Sequence, residues 1–263
     1  MKIVAVTNIK GGVGKTTTAV NLAFLCAARG RRTLLWDLDA QGAATYILQC
    51  EPKERVSAKK LVSGARDLPE LPVASGYANL DVLAADFSYR NFDLHLSERK
   101  NPTERLLKMS RALRDVYEVL FMDCPPGISL LSENVLRAAD AVIVPLIPTP
   151  LSLRMLTQLR DFLIENRWVD MTLVPFFSMV DRRRSMHQEV IADMRANCPG
   201  LLATEIPYWS EIERMALRRA PLSAYAPASE ASQLYEALWE EVVTKLKQAP
   251  FLRAMRAAGP EAA

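Results

Sequence analysis

Paired cysteines are missing from this 263-residue chain: Cys26, Cys50, Cys124 and Cys198 are scattered, with no C-x-x-C. That spacing gives no disulfide framework and no thiol pair for an iron–sulfur group, so it predicts a reduced, cytosolic protein. No apolar run approaches the roughly 18 residues needed to cross a bilayer, and residues 1–9 read as a strand rather than a signal peptide. Charge of one sign is not in excess either. Lys and Arg number 33 against 30 Asp and Glu, a formal net charge of +3, so any contact with nucleic acid has to come from a local patch. Internal repeats, low-complexity blocks, linkers and base-reading motifs such as helix-turn-helix are absent. Hydrophobic residues make up 50% of the chain, enough to build a sizeable core without disulfides or structural metal.

Against these absences stands Lys10-Gly-Gly-Val-Gly-Lys-Thr-Thr17, directly after the apolar run Ile3-Val-Ala-Val6 and before a helix-forming run from Ala19 to Ala28. Strand, glycine turn and helix in that order make a phosphate-binding loop. Gly11, Gly12 and Gly14, with Val13 among them, let the backbone wrap closely enough for its N–H groups to meet phosphate oxygens. The helix that begins near Thr17 offers its positive end to the same anion. In such a loop Lys15 reaches the β/γ-phosphates and the Thr16 hydroxyl holds Mg²⁺. The strict pattern G-x-x-x-x-G-K-[ST] fails, because Ile9 stands at the first glycine, and a second lysine, Lys10, follows it.

A loop opening K-G-G-x-G-K-T-T resembles the deviant Walker A loop of the ParA/MinD family of ATPases. The resemblance implies ATP and Mg²⁺ as cofactors. It gives Lys10 a catalytic role across a dimer interface, on the phosphates of the partner's ATP. Leu34-Leu-Trp-Asp-Leu-Asp-Ala-Gln-Gly42 looks like the family's second-strand segment, with Ala40 in place of the usual proline. The resemblance implies that Asp39 orients the attacking water and that Asp37 supports the metal. Alternation along the strand predicts both carboxylates on the same side of its end. Val119-Leu-Phe-Met-Asp-Cys-Pro-Pro-Gly127 looks like the Walker B strand and switch II, where Asp123 holds Mg²⁺ through water. The Gly127 N–H is placed to sense the γ-phosphate. Ser178-Met-Val-Asp-Arg182 and Glu205-Ile-Pro-Tyr208 resemble two late loops that hold adenine, a role carried to Met179 and Pro207.

Elsewhere the period alternates between strand and helix. Residues 51–79 read as irregular, Leu80–Ala84 as a strand and Pro102–Arg114 as a helix. The remaining predicted helices are Leu130–Ala138, Ser152–Asn166, Ser185–Asn197 and Glu230–Lys247. Strands fall at Thr33–Asp37, Ala141–Leu146, Thr172–Val180 and Leu202–Ile206. The pattern predicts one doubly wound α/β domain over residues 1–247, a mostly parallel sheet with helices on both faces, and a loosely held tail over 248–263.

ParA-like members bind nonspecific DNA as ATP dimers, and a cargo-linked partner protein triggers hydrolysis. The residues that carry this expectation are Arg182, Arg183, Arg184, Arg214, Arg218, Arg219, Lys245 and Lys247. MinD-like members instead hold membrane through a C-terminal amphipathic helix. Here Phe251, Leu252 and Met255, with Arg253 and Arg256, supply a short version of one beyond Pro250. A ligase-type enzyme with a related loop is the third reading. The Asp-Gln-Gly block favours the ParA-like one, with a cytoplasmic protein that joins the nucleoid in its ATP state.

Overall fold

Strands that are apolar on both faces need cover on both faces. In the computed structural model, which describes residues 1–52, 54–198 and 200–248, each face of one sheet is covered by its own hydrophobic cluster. The strands are β1 (Lys2–Val6), β2 (Thr33–Asp37), β3 (Val73–Ala74), β4 (Leu80–Leu83), β5 (Val119–Asp123), β6 (Ala141–Leu146), β7 (Thr172–Val180) and β8 (Glu205–Pro207). They lie in the order β3-β4-β2-β5-β1-β6-β7-β8. All pairs are parallel except β3 with β4. Ile3 and Ala5 face one cluster while Val4 and Val6 face the other, the alternation that a doubly covered strand imposes.

The helices are α1 (Lys15–Ala28), α2 (Ala43–Ile47), α3 (Ala58–Ser63), α4 (Phe92–Ser97), α5 (Arg105–Ser110), α6 (Leu130–Ala138), α7 (Pro150–Glu165), α8 (Ser185–Asn197), α9 (Ser210–Arg218), α10 (Leu222–Tyr225) and α11 (Glu230–Leu246). Residues of α1, α2, α9, α10 and α11 fill one cluster, and residues of α3 to α8 the other. The chain runs outward from β1 in one direction and later in the other. This opens a crevice at the carboxyl ends of the central strands, where ligands of such sheets bind.

Several local expectations change. The helix expected over Pro102–Arg114 is broken into a 3₁₀ turn (Pro102–Glu104), α5 and a second 3₁₀ turn (Arg111–Leu113). The cause is Asn134. Its amide donates to the Pro102 carbonyl at 2.6 Å and its oxygen accepts from Leu106 N at 3.2 Å, the two groups that an α-helix would bond to each other. The strand expected over Leu202–Ile206 shifts to Glu205–Pro207, because Ala203 N and Thr204 N donate to the Glu241 carboxylate instead of a ladder. Residues 51–79 hold α3, capped by Ser57 and ended by Gly64 at φ 75°, as well as β3. Helices α2, α4, α9 and α10 carry too few apolar repeats to show in the periodicity. The amphipathic segment Phe251–Met255, and all of the expected tail beyond Gln248, lies outside the described residues.

Asn21 ties this framework to the loop. It is buried in α1; its amide donates to Thr17 O at 2.9 Å and lies 3.1 Å from Met215 Sδ, while its oxygen accepts from Leu222 N at 2.9 Å. Asn21→Ala strands a buried backbone N–H, which costs about 2 kcal/mol. A lower denaturant midpoint with unchanged slope is expected. A midpoint equal to wild type would show that α9 and α10 do not depend on this residue.

Candidate functional site

β1 ends at Val6 and delivers the glycine loop to the crevice. Asn8 fixes its entry by donating to Pro145 O at 2.7 Å, at the end of β6, and accepting from Lys10 N at 2.9 Å. Gly12 and Gly14 adopt left-handed backbone (φ 69° and 85°). A Cβ on Gly14 would also stand 2.9 Å from Ser178 Oγ, so the loop and the end of β7 are too close for a side chain. Lys15 is buried, and its ammonium donates to Lys10 O at 3.1 Å across the turn. Burial lowers its pKa, while the charges of Asp123 and Asp39 oppose the shift. Thr16 and Thr17 are half-buried beside it. Lys10 is the opposite case. Its side chain is exposed, and no carboxylate pairs with it among the described residues.

The register of β2 on β5 sets Asp37 directly beside Asp123. Both are fully buried. Asp37 is hydrogen-bonded: Thr45 N and Thr45 Oγ1 donate to one oxygen at 2.9 and 2.7 Å, and Asp39 N donates to the other at 3.2 Å. Neither Asp123 oxygen receives a hydrogen bond of ordinary geometry, although the Thr16 hydroxyl lies close enough to favour the ionised form. Burial, and then the neighbouring Asp37, pushes the Asp123 carboxyl well above the usual range. Burial pushes Asp37 up to about 6, with the Thr45 bonds opposing it. The alternation expected for Asp37 and Asp39 does not apply, because β2 stops at Asp37. Asp39 lies half-exposed in the turn that follows, accepting from Gln41 N at 2.9 Å. It still acts electrostatically on Asp37, Asp123 and Lys15.

An orphaned buried carboxylate beside a threonine hydroxyl is an oxygen donor set that fits Mg²⁺, with most of its shell left to water and phosphate. Among the described residues no group of three or more His, Cys, Asp or Glu could enclose a metal by itself, which suits that partial coordination. Cys124, next in sequence, is buried with its thiol pushed up by desolvation, and it packs in the core.

At the switch turn, Gly127 has φ 111° and its N–H donates to Ile9 O at 3.0 Å. The donor expected to sense a phosphate is thus engaged by the loop's own carbonyl. Beside it, Ile9, Gly127, Leu136, Gln158 and Phe162 line a cavity of about 290 Å³ between the turn, α6 and α7. Sequence carried no signal for it, because its walls are ordinary helix faces brought together by the fold.

The two residues carried to adenine do meet. Met179 and Pro207 share a cleft of about 180 Å³ with Gly12, Gly14 and Thr17. Met179 sits at φ 54°, where β7 and β8 slip register, a strained position for a non-glycine side chain. Ser178, Ile206 and Tyr208 of the two late loops line it too, and Trp209, Ile212, Glu213 and Tyr235, not assigned to it from sequence, complete the walls.

The basic residues are split. Arg182, Arg183 and Arg184 follow β7, and Arg214 and Arg218 are exposed on α9, so both sets lie at the crevice edge. Arg183 grips Asp181 with two bonds, at 2.9 and 3.0 Å. Arg219 is turned inward, stacked 4.6 Å over the Tyr46 ring and donating to Tyr46 O. Lys245 and Lys247 stand at the far end of α11, Lys245 about 15 Å along its axis from Tyr235 in the cleft wall. That end is near Arg29, which pairs with Glu240 at the close of α1.

The coupled carboxylates make stability depend on pH. An acid whose folded pKa is raised stabilises the fold fully below its unfolded value, and that contribution is lost as pH rises through the folded one. For Asp37 the loss centres on about 6. Without nucleotide or Mg²⁺, the melting temperature is expected to rise as pH falls from about 7 to about 5. Asp123→Asn should raise it at neutral pH and flatten the dependence. A destabilised Asp123→Asn would mean that the pair is not strained in the fold.

A family model described as an AAA domain matches residues 1–167. The sporulation initiation inhibitor protein Soj of Bacillus subtilis is 32% identical over 248 residues, spanning 92% of this chain and 98% of its own. The chromosome partitioning protein ParA of Caulobacter vibrioides is 31% identical over 256 residues, spanning 93% and 95%. Among solved structures, cobyrinic acid a,c-diamide synthase of Mycobacterium smegmatis with bound ADP and magnesium superposes with a TM-score of 0.76. It is 26% identical, and the match covers 94% of this chain and 96% of that one. With the loop, the paired aspartates and the doubly wound sheet in place, the chain belongs to the Soj/ParA family of partitioning ATPases, of the deviant Walker A type.

Proposed function

We propose that this chain is an ATP-driven positioning switch: a homodimer around two ATP molecules that binds DNA without regard to sequence and is released by hydrolysis. The observation that carries the reading is the contrast within one loop. Lys15 is buried and bonded to its own backbone, whereas Lys10, five residues earlier, is exposed and unpaired. The buried lysine suits phosphates bound in the same subunit, and the free one suits phosphates held by another.

In this reading the backbone N–H groups of Gly11 to Thr17 and the α1 terminus hold the phosphates, and Met179 and Pro207 flank the base. Thr16 and Asp123 would hold Mg²⁺, with Asp37, beside Asp123, adding charge. Mg²⁺, when bound, neutralises phosphate charge and offsets the repulsion among these carboxylates. Asp39, half-exposed and in the same electrostatic neighbourhood, orients water, and Lys10 of the other subunit stabilises the charge that develops. Unstimulated turnover is slow, and a cargo-bound partner protein accelerates it. Dimerisation doubles the basic surface built from Arg182, Arg184, Arg214 and Arg218, and with it the avidity for DNA. Such a protein follows the nucleoid in its ATP state.

The ligase reading draws support from the synthase structure at 26% identity. The partitioning relatives match at higher identity over a similar share of the chain, and they favour the switch. ATP turnover that required a carboxylate substrate would reverse that preference, and retention on anionic liposomes rather than DNA would favour a membrane switch.

Lys15→Ala should lose ATP binding. Lys10→Ala should keep it yet remain a monomer by light scattering with ATP. An ATP-dependent dimer of Lys10→Ala would remove the sandwich. Arg214→Glu with Arg218→Glu should abolish ATP-dependent retention on nonspecific duplex DNA while ATP affinity holds. Unchanged retention would move the surface elsewhere.

A further inference from the structure

We propose that Ile128 is a side-chain latch for the switch turn: it seats in the adjoining cavity when a γ-phosphate takes the Gly127 N–H from Ile9. The proposal rests on the ATP reading above. Ile128 is 70% exposed, although it stands at the edge of the cavity of about 290 Å³ between the turn, α6 and α7. Ile9, Leu136, Leu159 and Phe162 give that cavity apolar walls. Phe162 is held in place by Trp168, packed edge to face with ring centroids 5.6 Å apart. Of the polar residues in the walls, Asn8 and Ser132 already bond to backbone groups, and Gln158 is exposed. The apolar part therefore suits an aliphatic group better than water. An apolar cavity of about 150 Å³ takes a benzene ring, so this one has room for a four-carbon side chain.

The backbone around Ile128 leaves it one way to move. From Ser129 onward the chain is pinned: Ser129 N donates to Ser132 Oγ at 2.7 Å, and Leu131 N to Asp93 Oδ1 at 2.8 Å. On the other side, Gly127 N is held by Ile9 O at 3.0 Å. Between these pins the Ile128 backbone makes no hydrogen bond to another described residue. Gly127, at φ 111°, is the hinge, because glycine crosses between backbone regions that a side chain would forbid. A γ-phosphate is a charged acceptor and outbids a carbonyl for the same N–H. Once that bond shifts, Gly127 carries Ile128 with it, and burial of the exposed side chain stabilises the new position. Hydrolysis removes the acceptor and returns the bond to Ile9. Triphosphate and diphosphate are then told apart by packing as well as by charge.

The test is NMR of the full chain with labelled isoleucine methyls, in Mg²⁺ with either ADP or the non-hydrolysable analogue AMP-PNP. Ile128→Val identifies the Ile128 signal. With AMP-PNP the Ile128 methyl should gain contacts to Leu159 and to the Phe162 ring, and with ADP it should lack them. The same contacts should form in Lys10→Ala, which the reading above leaves as a monomer. Ile128→Ala, at an exposed position and so expected to fold, should reduce the preference for AMP-PNP over ADP about tenfold, the effect of burying most of an aliphatic side chain. Contacts that form in wild type but vanish in Lys10→Ala would mean that Ile128 meets the other subunit, and would overturn the latch. So would an Ile128 methyl that does not respond while AMP-PNP binds, with the ATP reading left intact. A chain that bound neither nucleotide would overturn the ATP reading and the latch with it.

Discussion

Asp37 and Asp123 lie side by side, buried from solvent, because β2 pairs in register with β5. Two carboxylates in that position repel each other and resist ionisation, and the surrounding structure is arranged around this constraint. Thr45 donates twice to one of them, Lys15 lies within electrostatic reach of the other, and the Thr16 hydroxyl faces the same point. What remains unsatisfied, the two oxygens of Asp123, is where a hard cation would be most strongly stabilised. The glycine loop, the acidic turn and the switch turn are therefore three answers to one local excess of negative charge.

Much of this was legible in the order of residues. The loop, the acid at the end of β2 and the acid at the end of β5 each follow an apolar run, and runs of that kind make strands that end at the crevice. Met179 and Pro207 could be carried over by resemblance, and both line the cleft. What could not be read was pairing. Nothing local shows that Asp37 sits against Asp123 rather than beside Asp39, since that neighbour is set by a ladder between strands 86 positions apart. The same holds for Asn134, which replaces a helical hydrogen bond in a distant segment, and for Glu241, which redirects a strand. Short elements such as α2 and α9 are stabilised by what they pack on, so their own periodicity is too brief to announce them.

α9 combines two surfaces in nine residues. Ile212 and Glu213 form part of the cleft wall, Met215 enters the core against Asn21, and Arg214 and Arg218 face solvent. A small rotation of this helix would move the cleft wall and the basic residues together. Arg219, locked on Tyr46, anchors its far end to α2 and so to the acidic turn.

The bond from Gly127 N to Ile9 O shapes how the switch turn can respond. A backbone donor that already has a neutral partner can exchange it for a charged one without an interval of being unsatisfied, so the barrier to rearrangement is low. The gain is only the difference between the two acceptors, since charge-assisted bonds are roughly twice as strong as neutral ones. A turn built in this way is held to the loop by a bond that only a more strongly charged acceptor would outbid.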